Sequence, residues 1–591
     1  MNKALSLAVA ATLSCASLNS EAQTMIGKTT DVAAIANGDR MNAETLWAMG
    51  RIGGAAASPD GKTVVYQVGY YSVKQNKSHQ MLYTVSADGK KQHSLTTTAA
   101  SETDATWIDG GKRIAFLTGG QLWSMNADGT DRRQLTKSEI DIEGYIFSPD
   151  EKKVILIKSL PYHESIKKNP DDLPLASGRL VTDLNYRHWD HYVETVAHPF
   201  VADVTADGIG DGTDIIEGEP FECPMAPFGG AEQLAWSPDS KSIAYTCRKK
   251  TGVDYATSTD SDIYLYDVQT GKTKNLCKPA GYKPLPYNPT KTKKDQRLNH
   301  QGADLNMGYD TNPQFSPDGK YVAWQSMKRD GYESDRNRLC VYNLLTGEKT
   351  YVAEKFDSNV DAFCWAPNSR NLYFIGCWHA CVNMYQTDLN GDVRQLTDDW
   401  MDFGSLQMLG NTGKILASRH SISQADELYI ITPGKDPKKT KVQQLTFENK
   451  AFYDQLDYGR STIWYQKHAY AIGKAYDGGQ FSELNCQAYG ALYQDVLTVP
   501  GATLNWSLAH AGRDGTDTMA LLIAPVDVAQ DITDALKNKT TRAAIQEALN
   551  GSITVNGVNV PIRNYIVDGN ISDGCTAWGV HNGTYTVPAG Q

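Results

Sequence analysis

The stretch Ser316-Pro317-Asp318-Gly319-Lys320, followed by Tyr321-Val322-Ala323-Trp324, decides how this chain is read. Pro317 fixes φ and Gly319 accepts positive φ, so the five residues predict a tight turn. Tyr321 to Trp324 is apolar and β-favouring and reads as a buried strand. The unit recurs at Ser58-Pro59-Asp60-Gly61-Lys62, Ser148-Pro149-Asp150-Glu151-Lys152, Ser237-Pro238-Asp239-Ser240-Lys241 and Ala366-Pro367-Asn368-Ser369-Arg370, each time with a strand-like run after it. Two weaker copies lack the proline: Asp109-Gly110-Gly111-Lys112 and Gly410-Asn411-Thr412-Gly413-Lys414.

The closest copies are spaced by the roughly 40–50 residues of a four-stranded propeller blade. A second strand and turn follow most of them, as in Leu122-Trp123-Ser124-Met125 before Ala127-Asp128-Gly129. Several repeats close on Gln-Leu-Thr, at Gln134, Gln395 and Gln444. One blade cannot bury both faces of its small sheet, so the copies must stack in a ring. The expected fold is all-β: a seven-bladed β-propeller over residues 41–465, then a smaller, truncated β-sandwich of jelly-roll type over residues 475–591.

With 591 residues there is room for several domains and an ample core. The net charge of −11 and the lack of a dense basic patch argue against nucleic-acid binding. Residues 1–23 read as an export signal: Lys3, the short apolar run Ala4 to Leu13, and Ser20-Glu21-Ala22 before the cut. Residues 24–40 read as a polar leader. No later segment is apolar and long enough for a membrane helix, so an exported, periplasmic or extracellular protein is expected.

Of the 10 cysteines, Cys15 leaves with the leader and an odd number remains. Cys377-Trp378-His379-Ala380-Cys381 is expected on a single blade strand, with both thiols on one side, which favours small buried thiols, or a disulfide partner for one of them, over a metal site. No cofactor and no metal are expected.

Two insertions stretch the blade rhythm. The first, about 159–230, contains Arg187-His188-Trp189-Asp190-His191-Tyr192-Val193-Glu194. Its carboxylates pair with Arg187 in one reading. In the other, Glu194 and Asp190 hold a ligand's amine, because long insertions on a scaffold often serve binding. The second, about 249–310, is basic and proline-rich in its middle and reads as a surface loop.

The repeat, the Arg187-to-His191 insertion and the exit Leu445-Thr446-Phe447-Glu448-Asn449 together resemble the propeller half of secreted serine peptidases of the prolyl oligopeptidase family, in its dipeptidyl-peptidase and acylaminoacyl-peptidase branch. The turns alone are also similar to TolB-like and WD40-like propellers. The resemblance implies a ring that caps an α/β-hydrolase domain, admits only short or unfolded peptides and helps hold the substrate's amino end, with Glu194 the first candidate for the amine.

Such a peptidase needs a serine on a Gly-x-Ser-x-Gly turn, a histidine and a carboxylate, and the chain contains no Gly-x-Ser-x-Gly. The segment after Thr446 is shorter than the roughly 200 residues that a doubly wound hydrolase needs. Ser507 and His510 lie on a strand-like run and face opposite ways, so no catalytic residue is expected. The last segment resembles a jelly-roll module of bacterial surface proteins. There Trp506, Trp578 and Tyr585 either stack on sugar rings or fill a core, and Arg513 and Asp517 either bind a ligand or cap turns. One helix is expected at 531–549. The leading expectation is an exported propeller that binds peptide or glycan without chemistry. The alternatives are a serine exopeptidase whose catalytic part is lost or supplied by another chain, and a TolB-like envelope scaffold.

Overall fold

The computed structural model describes residues 25–36, 41–162, 166–167, 175, 180–181, 193–282, 305–421, 424–455, 464–465, 482–483, 500–510, 517–536, 539, 542–574 and 579–588. Contacts divide the chain into two compact units at Phe452 and Tyr453.

The first unit is a seven-bladed propeller. Each blade is an antiparallel sheet whose strands A to D follow chain order. The A strands are Arg51–Ala57, Thr103–Ile108, Ile142–Phe147, Leu234–Trp236, Asp310–Phe315, Ala362–Trp365 and Asp402–Met408. The B strands carry the core. Val64, Val65 and Tyr66 of blade one are fully buried, as are Val322, Ala323 and Trp324 of blade five.

All seven A–B connections are the turns named above. In the full version the serine hydroxyl does two jobs. Ser58 Oγ donates to Asp60 Oδ1 (2.8 Å) and accepts from the Thr63 N–H (3.0 Å). Asp60 also accepts from the Lys62 N–H, and that bond, with Ser58, holds its pKa at about 2. Ser148, Ser237 and Ser316 repeat the Ser–Asp bond at 2.7 Å. Position four is left-handed whatever residue stands there: Gly61, Glu151, Ser240, Gly319 and Ser369 all have positive φ.

The Gln-Leu-Thr ending has an equally local cause. The leucine enters the core, and the threonine hydroxyl accepts from an interior N–H of strand C. Thr136 takes Leu122 N–H (2.9 Å), Thr397 takes Met384 N–H (2.9 Å) and Thr446 takes Leu428 N–H (2.8 Å).

The ring closes through side chains. Asn449, just past blade seven, donates from Nδ2 to Gly50 O (2.8 Å) and accepts at Oδ1 from Gly50 N–H (2.9 Å). Gln407 of blade seven donates to Ala55 O of blade one (2.7 Å). Buried Glu448 accepts from Tyr70 OH (2.8 Å) and pairs with Lys28 (3.1 Å).

Because A to D alternate in direction, A–B and C–D turns share one end of the propeller, while B–C and D–A connections share the other. Both insertions open at that second end, and the one expected at 249–310 is not a single loop: Asp262–Asp267 and Thr273–Asn275 within it are the third and fourth strands of blade four. The structure corrects the extent of the first: Thr195–Thr205 is the third strand of blade three, paired along its length with Lys153–Pro161, so the inserted B–C connection is 162–194. It also corrects the cysteine pair. Asn371–Trp378 and Cys381–Asp388 are two strands of blade six, joined through His379 and Ala380, both at positive φ. Trp378 pairs with Cys381, and Cys377 is exposed while Cys381 is buried.

In the second unit, Thr503–His510 pairs with Gly579–Thr586 and Asp517–Leu522 with Ile566–Asp573. These pairings are compatible with the expected sandwich. Two helices, Val526–Leu536 and Arg542–Leu549, replace the single helix expected at 531–549. Val528, Ile532, Ile553 and Ile562 form a core with the first of these helices. Among the described residues no helix is long and apolar enough to cross a membrane.

Candidate functional site

A cleft of about 490 Å³ opens between blades four and five, at the B–C and D–A end. Three connections build it. Arg248 and Thr257 to Thr259 come from the B–C connection of blade four, Tyr309 from the crossing into blade five, and Gly331 to Ser334 from the B–C connection of blade five. Asp330 ties two of these together, accepting from Ser258 Oγ (2.8 Å) and Thr259 N–H (2.8 Å). Gly331 N–H donates back to Thr259 Oγ1 (2.7 Å). Arg329 grips Asp335 with Nε (2.9 Å) and Nη2, which shapes the facing loop.

Opposite charges meet in this cleft through one phenol. Arg248 Nη1 donates to Ser258 O (3.0 Å) and to Tyr309 OH (3.4 Å). Tyr309 OH donates in turn to Glu333 Oε1 (3.5 Å). Burial pushes the Tyr309 phenol up, against the pull of the Arg248 guanidinium, so it remains a donor at neutral pH. Arg248 lies over the Tyr255 ring, 4.0 Å from its centroid. Glu333 is exposed.

A buried polar cluster underlies the same two blades. Lys278 Nζ donates to Asp262 Oδ1 (2.6 Å), Asp260 Oδ1 (2.8 Å) and Asn306 O (2.8 Å). Burial alone would depress this ammonium, but Asp262 and Asp260 outweigh it and push its pKa up. Asp310 accepts from Trp324 Nε1 (2.6 Å) and Asn306 Nδ2 (3.0 Å), and burial raises its pKa to about 7. Asp262, Cys277 and Asp310 bring three possible metal-ligand atoms within 4.8 Å of one another. Lys278 already supplies the cation that the Asp262 carboxylate needs.

Over 424 residues the chain is 42% identical to dipeptidyl-peptidase 5 of Porphyromonas gingivalis, covering 71% of this chain and 57% of that protein. It is 41% identical over 421 residues to dipeptidyl-peptidase 5 of Porphyromonas endodontalis, covering 70% of this chain and 56% of that one. The propeller is that of the prolyl oligopeptidase family. The chain spans a little over half the length of these relatives. No family model matches it. The fold of this prolyl-oligopeptidase-type propeller is also that of Pyrococcus horikoshii acylaminoacyl peptidase, with a TM-score of 0.50 at 13% identity over 72% of this chain and 56% of that one.

Of the residues singled out from sequence, Glu194 is exposed at the foot of the insertion, where its carbonyl accepts from Tyr162 N–H (2.8 Å), and it does not line the cleft. Asp190, Arg513 and Trp578 lie outside the described residues. Asp517 pairs by register with Asp573, and its side chain also lies outside them. Trp506 and Tyr585 lie half-buried on one face of their strand pair. A Cβ on Gly583 would lie 2.9 Å from the Trp506 ring, so this indole covers the glycine and packs.

Sequence reading also missed His510 and His581 meeting on one carboxylate, at 2.9 and 2.6 Å from Asp573 Oδ2. Burial works against ionisation of Asp573, yet the hydrogen bonds from His581 and His510 hold its pKa below the usual range. Ser507 lies on the exposed face of that strand, away from His510. Arg248, Tyr309 and Glu333 were missed altogether. They form no local motif, and the only signal was a Tyr or Arg directly flanking a blade strand.

Proposed function

We propose that this propeller binds short peptides in the cleft between blades four and five, in the service of a peptidase of the dipeptidyl-peptidase type. The observation that carries the reading is one cleft holding a buried guanidinium and an exposed carboxylate joined through Tyr309. An unblocked peptide carries a positive amine at one end, which suits Glu333, and carbonyl oxygens along its length, which suit Arg248. Among the described residues the lining offers a guanidinium, a carboxylate and backbone groups, which suits recognition. Its place at the end where the long insertions emerge supports access from that side.

Calorimetric titration of the full chain with trialanine tests this. Saturable binding is expected, weakened about five- to tenfold by N-acetylation of the peptide or by Glu333→Gln, the scale of one charge-assisted hydrogen bond. Binding that ignores both changes, or no saturable binding at all, sinks the reading.

A further inference from the structure

Arg248 is only 6% exposed, and among the described residues no carboxylate pairs with it. Leaving a guanidinium unpaired under that much burial is strongly unfavourable. Two neutral acceptors on Nη1 and the face of Tyr255 offset part of that cost. The other side of the guanidinium is unused. Nε is buried without a hydrogen-bond partner, and Nη2 makes no hydrogen bond to a described residue. Nε and Nη2 form the planar fork that takes both oxygens of a carboxylate. Beside the same cleft, Arg329 uses that fork on Asp335. Glu333 does not fill it, because Tyr309 OH stands between the two.

We propose that the vacant fork of Arg248 is a carboxylate receptor, so that the cleft selects peptides carrying a free carboxylate, either the terminal group or an acidic side chain. This rests on the peptide reading above and adds the class of peptide. Glu333 and Arg248 then act as two poles, one for the amine and one for the carboxylate. Arg248 sets specificity and takes no part in bond cleavage.

The test is calorimetric titration of the full chain with four probes: trialanine, its C-terminal amide, and the amides of Ala-Glu-Ala and Ala-Gln-Ala. A bidentate, charge-assisted contact predicts about a ten- to hundredfold preference within a pair. Trialanine over its amide assigns the terminal carboxylate, and Ala-Glu-Ala amide over Ala-Gln-Ala amide assigns the acidic side chain. Arg248→Gln erases the preference, and Arg248→Lys, which keeps the charge but not the fork, restores only part of it. Discrimination by the unaltered protein decides the matter even where a variant fails to fold. If all four probes bind alike while Glu333→Gln weakens them all, the carboxylate receptor is wrong and the peptide reading stands. If none binds, both fall.

Discussion

Position four of the blade turn shows how a single side chain is chosen. The backbone there is left-handed, which costs a non-glycine residue about 1 kcal/mol. Where the residue is not glycine, its side chain often stitches the turn to the neighbouring blade: Glu151 accepts from Asp109 N–H (2.7 Å), Ser240 from Asp150 N–H (3.1 Å) and Ser369 from Asp318 N–H (3.0 Å). Where it is glycine, space differs. A Cβ on Gly61 would meet Leu409 O at 2.8 Å and Thr412 Cγ2 at 2.5 Å, whereas on Gly319 the nearest atom is at 3.8 Å. Gly319→Ala is therefore expected to cost about 1 kcal/mol and Gly61→Ala about 2–4 kcal/mol, by urea denaturation. Equal losses would show that strain, not contact, sets both. A second residue-scale prediction concerns pH. Asp310 titrates at about 7 in the folded protein and near 3.8 when unfolded, so the native state holds the extra proton between those values. Its contribution to stability is full below about pH 4 and is lost as pH rises through 7. Asp310→Asn keeps an acceptor for Trp324 and removes that loss, so the variant should gain at least about 1 kcal/mol on the wild type between pH 5 and pH 8. A constant difference across that range would show that Asp310 is ionised throughout.

At the scale of elements, the closure seam deserves its own test, because blade seven meets blade one with no strand shared between them. Asn449 satisfies both backbone groups of Gly50 across the seam, so Asn449→Ala strands a buried N–H and a buried C=O. The expected cost is about 2–4 kcal/mol, from two lost bonds and two unsatisfied groups. Gln407→Ala should cost about half as much, since its strong contact is to Ala55 O alone. Thermal unfolding of the two variants and of their double mutant measures the seam, and a negligible effect of Asn449→Ala would mean that core packing alone closes the ring. This seam was half legible in sequence. The exit Leu445 to Asn449 stood out as a family mark, but nothing local could say that its asparagine reaches back 399 residues. The blade turns were legible because each is held by bonds within five residues. The hairpin at His379-Ala380 was not, because two-residue turns of that kind are announced by Asn-Gly, and this one holds a histidine and an alanine at positive φ instead. The cleft was least legible, since Arg248, Tyr309 and Glu333 come together only when blades four and five pack side by side.

For the propeller as a whole, the two ends differ in what they show to water. At the B–C and D–A end, Val73, Ile140, Phe228, Val253, Trp378 and Phe447 are exposed, and Trp378 stacks on His379 at 4.8 Å between centroids. At the A–B and C–D end the exposed large apolar side chain among the described residues is Leu345, on a C–D turn. Scattered apolar residues are ordinary on any surface, but a bias toward one end is not explained by the blade repeat, which treats both ends alike. The repeat fixes the A–B turns with Ser-Pro-Asp and leaves the other connections free to vary, so the insertions, the cleft and the apolar exposure all accumulate where sequence is unconstrained. The bias has a measurable consequence. An environment-sensitive apolar dye should bind the native chain at that end, and Val253→Asp combined with Trp378→Asp should reduce its fluorescence by roughly half or more. Leu345→Asp should leave it nearly unchanged. Both variants alter only exposed side chains, so their thermal transitions should stay within about 0.5 kcal/mol of the wild type, and a dye signal lost equally in both would place the apolar surface elsewhere.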